Sequence, residues 1–175
     1  MGTSVLIPVS EYLGSVYEPD CDYVDGELQE RNAGEQDHSD LQTRLAILLC
    51  APEYEDILWV NTELRVQVKP TRFRVPDVCV RRSDAPSEQI VHTPPLLCIE
   101  VLSPEDTVAR TRAKVRDYLE MGVSEVWVID PAARTATVCS GPTSVEHSSG
   151  ELKVPQTPVA VTLADIFKVL DRYRK

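Results

Sequence analysis

Leu96 to Leu102, LLCIEVL, is the segment that most restricts how this chain can fold, because it is an apolar run interrupted by a single acid, Glu100. Apolar residues in unbroken succession suit a strand covered on both faces, the usual condition of parallel-type strands. A carboxylate in such a strand is costly to ionise unless a cation or a set of donors faces it. Glu100 therefore needs a partner. Downstream, Ser103-Pro104-Glu105-Asp106 predicts a helix start, with a capping hydroxyl, proline at the first helical position and acids in the first turn. Val108, Val115 and Leu119 recur at helical spacing, and Gly122 is placed for a left-handed C-cap. Val126 to Ile129 then reads as a second strand, ended by Asp130-Pro131.

A second acid stands in similar surroundings. Asp77 lies within Arg74 to Val80, RVPDVCV, again inside a β-branched apolar run. Two acids on two such strands, followed by Lys114 on the predicted helix, can form a site in which carboxylates hold a divalent cation and an ammonium faces an anionic substrate. Other partners remain open for each. Asp77 can cap backbone donors at a strand end, Glu100 can pair with an arginine such as Arg74 or Arg112, and Lys114 can keep its head in water.

Pro76-Asp77, then Glu100-Val101-Leu102-Ser103-Pro104, then Lys114 and Tyr118, then Gly122-Val123 and Trp127 to Pro131 resemble, in order and spacing, the Uma-two family of bacterial restriction-endonuclease-like proteins, itself similar to the PD-(D/E)XK nucleases. The likeness runs from about Tyr12 to Phe167. It implies an α/β restriction-endonuclease-like core with a central mixed sheet flanked by helices. It also implies a Mg2+-dependent (or Mn2+-dependent) endonuclease acting on DNA, with Asp77 and Glu100 as metal ligands, Lys114 as the third catalytic residue, and a homodimeric assembly. Glu27, His38 and Tyr118 are accessory candidates: an acid near the first hairpin can complete the metal site, a histidine near the start of the first long helix is common in the family, and Tyr118 lies one turn after Lys114. Their other readings are a solvent-facing strand glutamate, a cap or surface histidine, and a packed tyrosine.

The chain also departs from the nuclease pattern. The wider group carries a lysine two residues after the glutamate, where this chain has Leu102, so the resemblance implies a lysine moved to the next helix as Lys114. An acid is expected about one turn before that lysine, where this chain has Arg110. These departures imply altered or lost activity and sustain the alternative of a noncatalytic binding or assembly module on the same fold.

At 175 residues, with 42% apolar content, the chain is expected to form a single domain over residues 1–175. It has no apolar segment of membrane-spanning length and no signal-like N-terminus, so a soluble, cytoplasmic protein without membrane contact is expected. The five cysteines are scattered without CxxC spacing, which argues against structural zinc or a disulfide framework. Cys79 and Cys98 share strand faces with Asp77 and Glu100 and read as small core residues. The net charge of −10 opposes nucleic-acid binding only on average. Residues 1–63 hold 14 acids and 2 bases, residues 64–116 hold 10 bases and 6 acids, and residues 117–175 hold 8 acids and 6 bases. The middle third, which contains Asp77, Glu100 and Lys114, is the basic one.

For the remaining elements, Ser10 to Gly14 predicts a short helix, and Tyr23 to Glu30 a hairpin about Asp25-Gly26. His38 to Cys50 reads as an amphipathic helix with Leu41, Leu45, Leu48 and Leu49 inward. Trp59 to Val68 alternates as one half-buried strand, with Phe73 to Val80 as its antiparallel neighbour. Arg81 to Thr93 reads as a connection, Thr135 to Cys139 as the return strand of a hairpin, and Gly141 to Gly150 as a loop. Leu152 to Val154 predicts a short strand and Thr162 to Asp165 a capping box before a last helix.

Overall fold

A computed structural model describes residues 6–32 and 34–172. The segment with Glu100 is strand β7, Leu97–Val101, fully covered as its apolar run demands. It lies at the centre of a six-stranded sheet ordered β10-β9-β8-β7-β6-β3, with β3 Leu58–Thr62, β6 Val78–Arg82, β8 Glu125–Asp130, β9 Thr135–Ser140 and β10 Thr143–His147. Only the β7–β8 pairing is parallel, and helix α3, Val108–Met121, is its crossover. The expected central mixed sheet with flanking helices is therefore present.

Alternation along β7 assigns its two faces. Leu97, Ile99 and Val101 join a core with Leu41, Leu45 and Leu49 of α2, Gln36–Leu49, and with Leu163, Ile166 and Phe167 of α4, Leu163–Phe167. Cys98 enters the opposite core, with Cys79 and with Val123 and Tyr118 at the end of α3, and Glu100 shares that face by its parity. Cys79 and Cys98 are register partners, buried as the small core residues expected of them.

A second sheet, β2-β1-β5-β4, is built from β1 Cys21–Val24, β2 Glu27–Glu30, β4 Val66–Lys69 and β5 Arg72–Arg74. Here the structure corrects the sequence reading. The single strand expected over Trp59 to Val68 is broken at Glu63, which takes a positive φ of 53°, into β3 of the large sheet and β4 of the small one. Its neighbour, expected over Phe73 to Val80, is likewise divided at Pro76-Asp77 into β5 and β6. The two strands do pair antiparallel, but as a ribbon that leaves one sheet for the other, and period-two alternation cannot register that kink. The hairpin about Asp25-Gly26 is as expected, both residues having the positive φ that a two-residue turn of type I′ requires.

Helix α1 is Val9–Gly14, and Tyr12 from it fills an aromatic cluster with Tyr23 and Phe73. The start of α3 differs from expectation. Ser103 to Asp106 form a turn in which the Asp106 carboxylate accepts the Ser103 N–H at 2.8 Å, and Thr107 is the true N-cap, accepting from the Arg110 N–H. Val108 is consequently exposed and not inward. The predicted end holds: Gly122 has φ 107° and closes the helix. Residues 141–150 contain strand β10 where a loop was expected. Four of its five residues are exposed, so pairing with β9 and not burial defines it. Strand β11, Glu151–Lys153, pairs with β12, Ala160–Thr162, and Thr162 caps α4 as predicted. Among the described residues no helix is long and apolar enough to cross a membrane.

Candidate active site

The β6–β7 register pairs Val78 with Ile99 and Cys79 with Cys98. Continued by one step, it sets Asp77 opposite Glu100. Two acids facing each other across strands repel, and both are buried, Asp77 at 4% and Glu100 at 5% exposure. They border a polar cleft of about 200 Å3 whose other walls include Arg31, Asn32, His38, Gln42, Glu63, Ser103, Asp106, Arg110 and Lys114.

Each acid is matched by different partners. The Glu100 Oε2 atom receives the Lys114 ammonium at 2.7 Å, and Oε1 accepts the Tyr118 hydroxyl at 2.7 Å. The lysine expected to reach back from the helix does so, and the arginines considered as alternatives do not. Arg74 is engaged elsewhere, and Arg112 lines a separate groove. Burial pushes the Glu100 carboxyl above its ordinary range; Lys114 opposes that shift and the charge of Asp77 adds to it. Burial alone would lower the Lys114 ammonium, but the charge and hydrogen bond of Glu100, with the charges of Asp22 and Asp77, raise it above its ordinary value. Burial holds the Tyr118 phenol well above its usual value, so Tyr118 acts as a neutral donor.

Asp77 is tied to the fold as well as to the cleft. Its Oδ2 accepts the Val101 N–H at 2.7 Å and lies 3.3 Å from His38 Nε2, and its Oδ1 accepts from Arg31 at 3.0 Å. Its carbonyl accepts from Gln42 and from the Glu63 N–H. Capping of backbone donors, one of the open readings for Asp77, is therefore real and coexists with a place in the cleft. Burial raises the Asp77 carboxyl, but the His38 hydrogen bond and charge, the Val101 N–H and Lys114 together bring it below its ordinary value. The same contact lifts His38 above the usual imidazole value against the effect of its burial.

Of the accessory candidates, His38 and Tyr118 join the constellation. Glu27 is exposed on β2 and does not line the cleft. Arg31 and Glu63, neither of them a candidate from the sequence, are also cleft residues. Arg110 donates to the Glu30 carbonyl and so fastens α3 to the end of β2. Asp117, three residues after Lys114, is fully buried and grips Arg74 with two hydrogen bonds, at 2.9 and 2.7 Å. Arg74 also reaches the buried Asp22 at 3.0 Å, and Arg72 donates to Asp117 at 2.7 Å. This network joins α3 to the small sheet. A buried acid in the strand CDYV, and an acid beside Tyr118 on the inward side of the helix, were the signals that could have revealed it.

Among the described residues no group of three or more histidine, cysteine or acidic side chains is placed to hold a metal ion. Mg2+ needs only one or two carboxylates, with water and phosphate completing its shell, and Asp77 and Glu100 are the residues that could hold one. A larger groove, about 690 Å3, lies between α3 and the β9–β10 end of the sheet. Its walls, including Val108, Val115, Leu119 and Val128, present no facing pair of buried acids, so the smaller cleft is where the chemistry concentrates.

The family described as "Uma2: Putative restriction endonuclease" matches residues 10–168. Among solved structures, the chain is similar to "a putative nuclease belonging to DUF820 from Anabaena variabilis ATCC 29413", with a TM-score of 0.80 and 22% identity, covering 94% of this chain and 99% of that one. That likeness concerns the fold. A chain of the "DrdV-DNA complex" aligns with a TM-score of 0.36 and 14% identity over 77% of this chain and 13% of its own. No curated protein matches.

Proposed function

The chain belongs to the Uma2 family, and from that premise we propose that its cleft hydrolyses phosphodiester bonds of DNA with Mg2+ or Mn2+ held by Asp77 and Glu100. The observation that carries this reading is the meeting of two buried acids from adjacent strands with a protonated lysine 2.7 Å from one of them. A divalent ion bound there supplies the charge that acidifies an attacking water and polarises the phosphate. The protein residues do the rest. Lys114, its side chain only 12% exposed at the cleft, offsets the negative charge that grows on the phosphate, where a fixed cation acts most strongly. Tyr118 orients Glu100 by its hydroxyl, and His38 with the Val101 N–H orients Asp77. Arg110, standing where the resemblance expects an acid, adds a cation at the rim of the cleft for backbone phosphates. Cutting of both strands suits a pair of chains related by a two-fold axis.

Supercoiled plasmid incubated with Mg2+ or Mn2+ tests the proposal. The wild type converts it to nicked and linear forms, whereas Asp77→Ala, Glu100→Ala and Lys114→Ala each slow conversion by about 10²-fold or more. Equal residual cleavage in all four proteins would remove the nuclease reading. The second reading, a noncatalytic binding or assembly module, draws on Arg31 and Lys114 already neutralising both acids. It requires that no divalent cation binds, so calorimetric Mn2+ binding abolished by Glu100→Ala would count against it.

A further inference from the structure

Arg31 is the cleft residue with the most unusual surroundings. Its backbone N–H donates to the Asp20 carbonyl at 3.0 Å, which fixes where its side chain begins. From there the guanidinium faces three carboxylates. One amino group donates to Asp77 at 3.0 Å, while the other lies 3.5 Å from Glu63 and 3.8 Å from Asp20. The first acid is buried in the cleft; the other two are exposed at 56% and 45%. The guanidinium thus stands between a carboxylate needed as a metal ligand and two that are not.

A divalent cation on Asp77 and Glu100 competes with the Arg31 guanidinium, 3.0 Å from Asp77 Oδ1, for the charge of that carboxylate, and Arg31, unlike Lys114, has two further acids to turn to. We propose that Arg31 is an internal counter-ion latch: its guanidinium competes with a divalent cation for Asp77, and binding of that cation transfers it onto Glu63 and Asp20. This rests on the reading of the cleft as a divalent-cation site. The transfer is short, because the second amino group is already within salt-bridge distance of both receiving acids. Arg31 and Lys114 also divide the two opposed acids between them, Arg31 facing Asp77 and Lys114 facing Glu100. Arg31 is thereby a positioning residue that sets the cation affinity of the site, and Glu63 acts through it.

Calorimetric titration of the full chain with Mn2+ alone tests this, with far-UV circular dichroism to confirm that each variant is folded. Arg31→Gln is expected to bind Mn2+ about tenfold more tightly than wild type, a typical coupling between two sites. Glu63→Gln, at an exposed position that folding tolerates, is expected to bind about threefold more weakly in the wild-type background and unchanged in the Arg31→Gln background, because a residue acting through Arg31 loses its effect when Arg31 is gone. If Glu63→Gln weakens binding equally in both backgrounds, or Arg31→Gln binds no more tightly than wild type while Glu100→Gln abolishes binding, the latch is refuted and the metal site stands. If neither wild type nor Arg31→Gln binds Mn2+, both the latch and the metal site fall.

Discussion

Arg74→Ala should be among the most damaging single substitutions outside the cleft. The Arg74 side chain, 3% exposed, donates to Asp117 twice, to Asp22 and to Gln29. Among the described residues, its removal leaves Asp22 with only the Val75 N–H and Asp117 with only Arg72. Breaking a buried ion pair by deleting one partner costs about 3–5 kcal/mol, and the surviving Arg72 contact argues for the lower end, about 3 kcal/mol. Against a total stability of about 5–15 kcal/mol, that is a large share. Urea denaturation followed by far-UV circular dichroism and by fluorescence of the buried Trp127 would show the midpoint falling by about 1.5–2 M for a slope of about 1.5–2 kcal/mol/M. Arg74→Met keeps most of the stem and loses the charge, so it should lose nearly as much. A loss below about 1 kcal/mol in Arg74→Met would show that packing of the stem, and not the ionic network, holds α3 to the small sheet.

His38→Gln should destabilise the protein more at pH 6 than at pH 9. The folded-state imidazole is raised by Asp77, so its contribution is complete below the ordinary imidazole value and disappears as pH rises through the folded-state one. Urea midpoints at the two pH values decide it, equal losses being the contrary result. Gly122→Ala should cost about 1 kcal/mol, because φ is 107° and the added Cβ would stand 3.4 Å from Pro94; an unchanged melting temperature would oppose this.

Helix and strand identities were readable where one physical signal dominated. The apolar run fixed β7 despite its one acid, the leucine spacing fixed α2, and Gly122 fixed the end of α3. Asp77 and Glu100 stood out because charge inside apolar surroundings is rare, Lys114 because it follows them on the next helix where the resemblance expects a lysine, and the cleft brings all three together. Tertiary decisions were not readable. The bend at Glu63 costs one residue in an unusual conformation, and the alternation on either side of it continues without a break, so one strand was read where there are two. Arg31 sits among polar residues in sequence, and only the fold brings Asp77, 46 positions away, within reach of it. Strand β10 has little buried side-chain surface, and hydrophobic patterning is silent about strands held by backbone pairing.

Placement at the seam between two sheets explains why Asp77 serves structure and chemistry at once. Beyond Val78 the ladder between β6 and β7 is continued by a side chain: the Val101 N–H donates to Asp77 Oδ2, and the Asp77 carbonyl takes up the Glu63 N–H where β3 has ended. Alanine at position 77 would orphan a buried N–H, at a cost of about 1–3 kcal/mol, besides removing a metal ligand. Asparagine keeps an oxygen for Val101 and removes only the negative charge, its amide group turning toward Arg31, which has Glu63 and Asp20 to face instead. Asp77→Asn and Asp77→Ala should therefore both abolish plasmid cleavage, while in urea the alanine variant unfolds earlier than the asparagine variant. Equal midpoints would mean that the Val101 bond contributes nothing to the seam, and that the carboxylate is kept at position 77 for its charge alone.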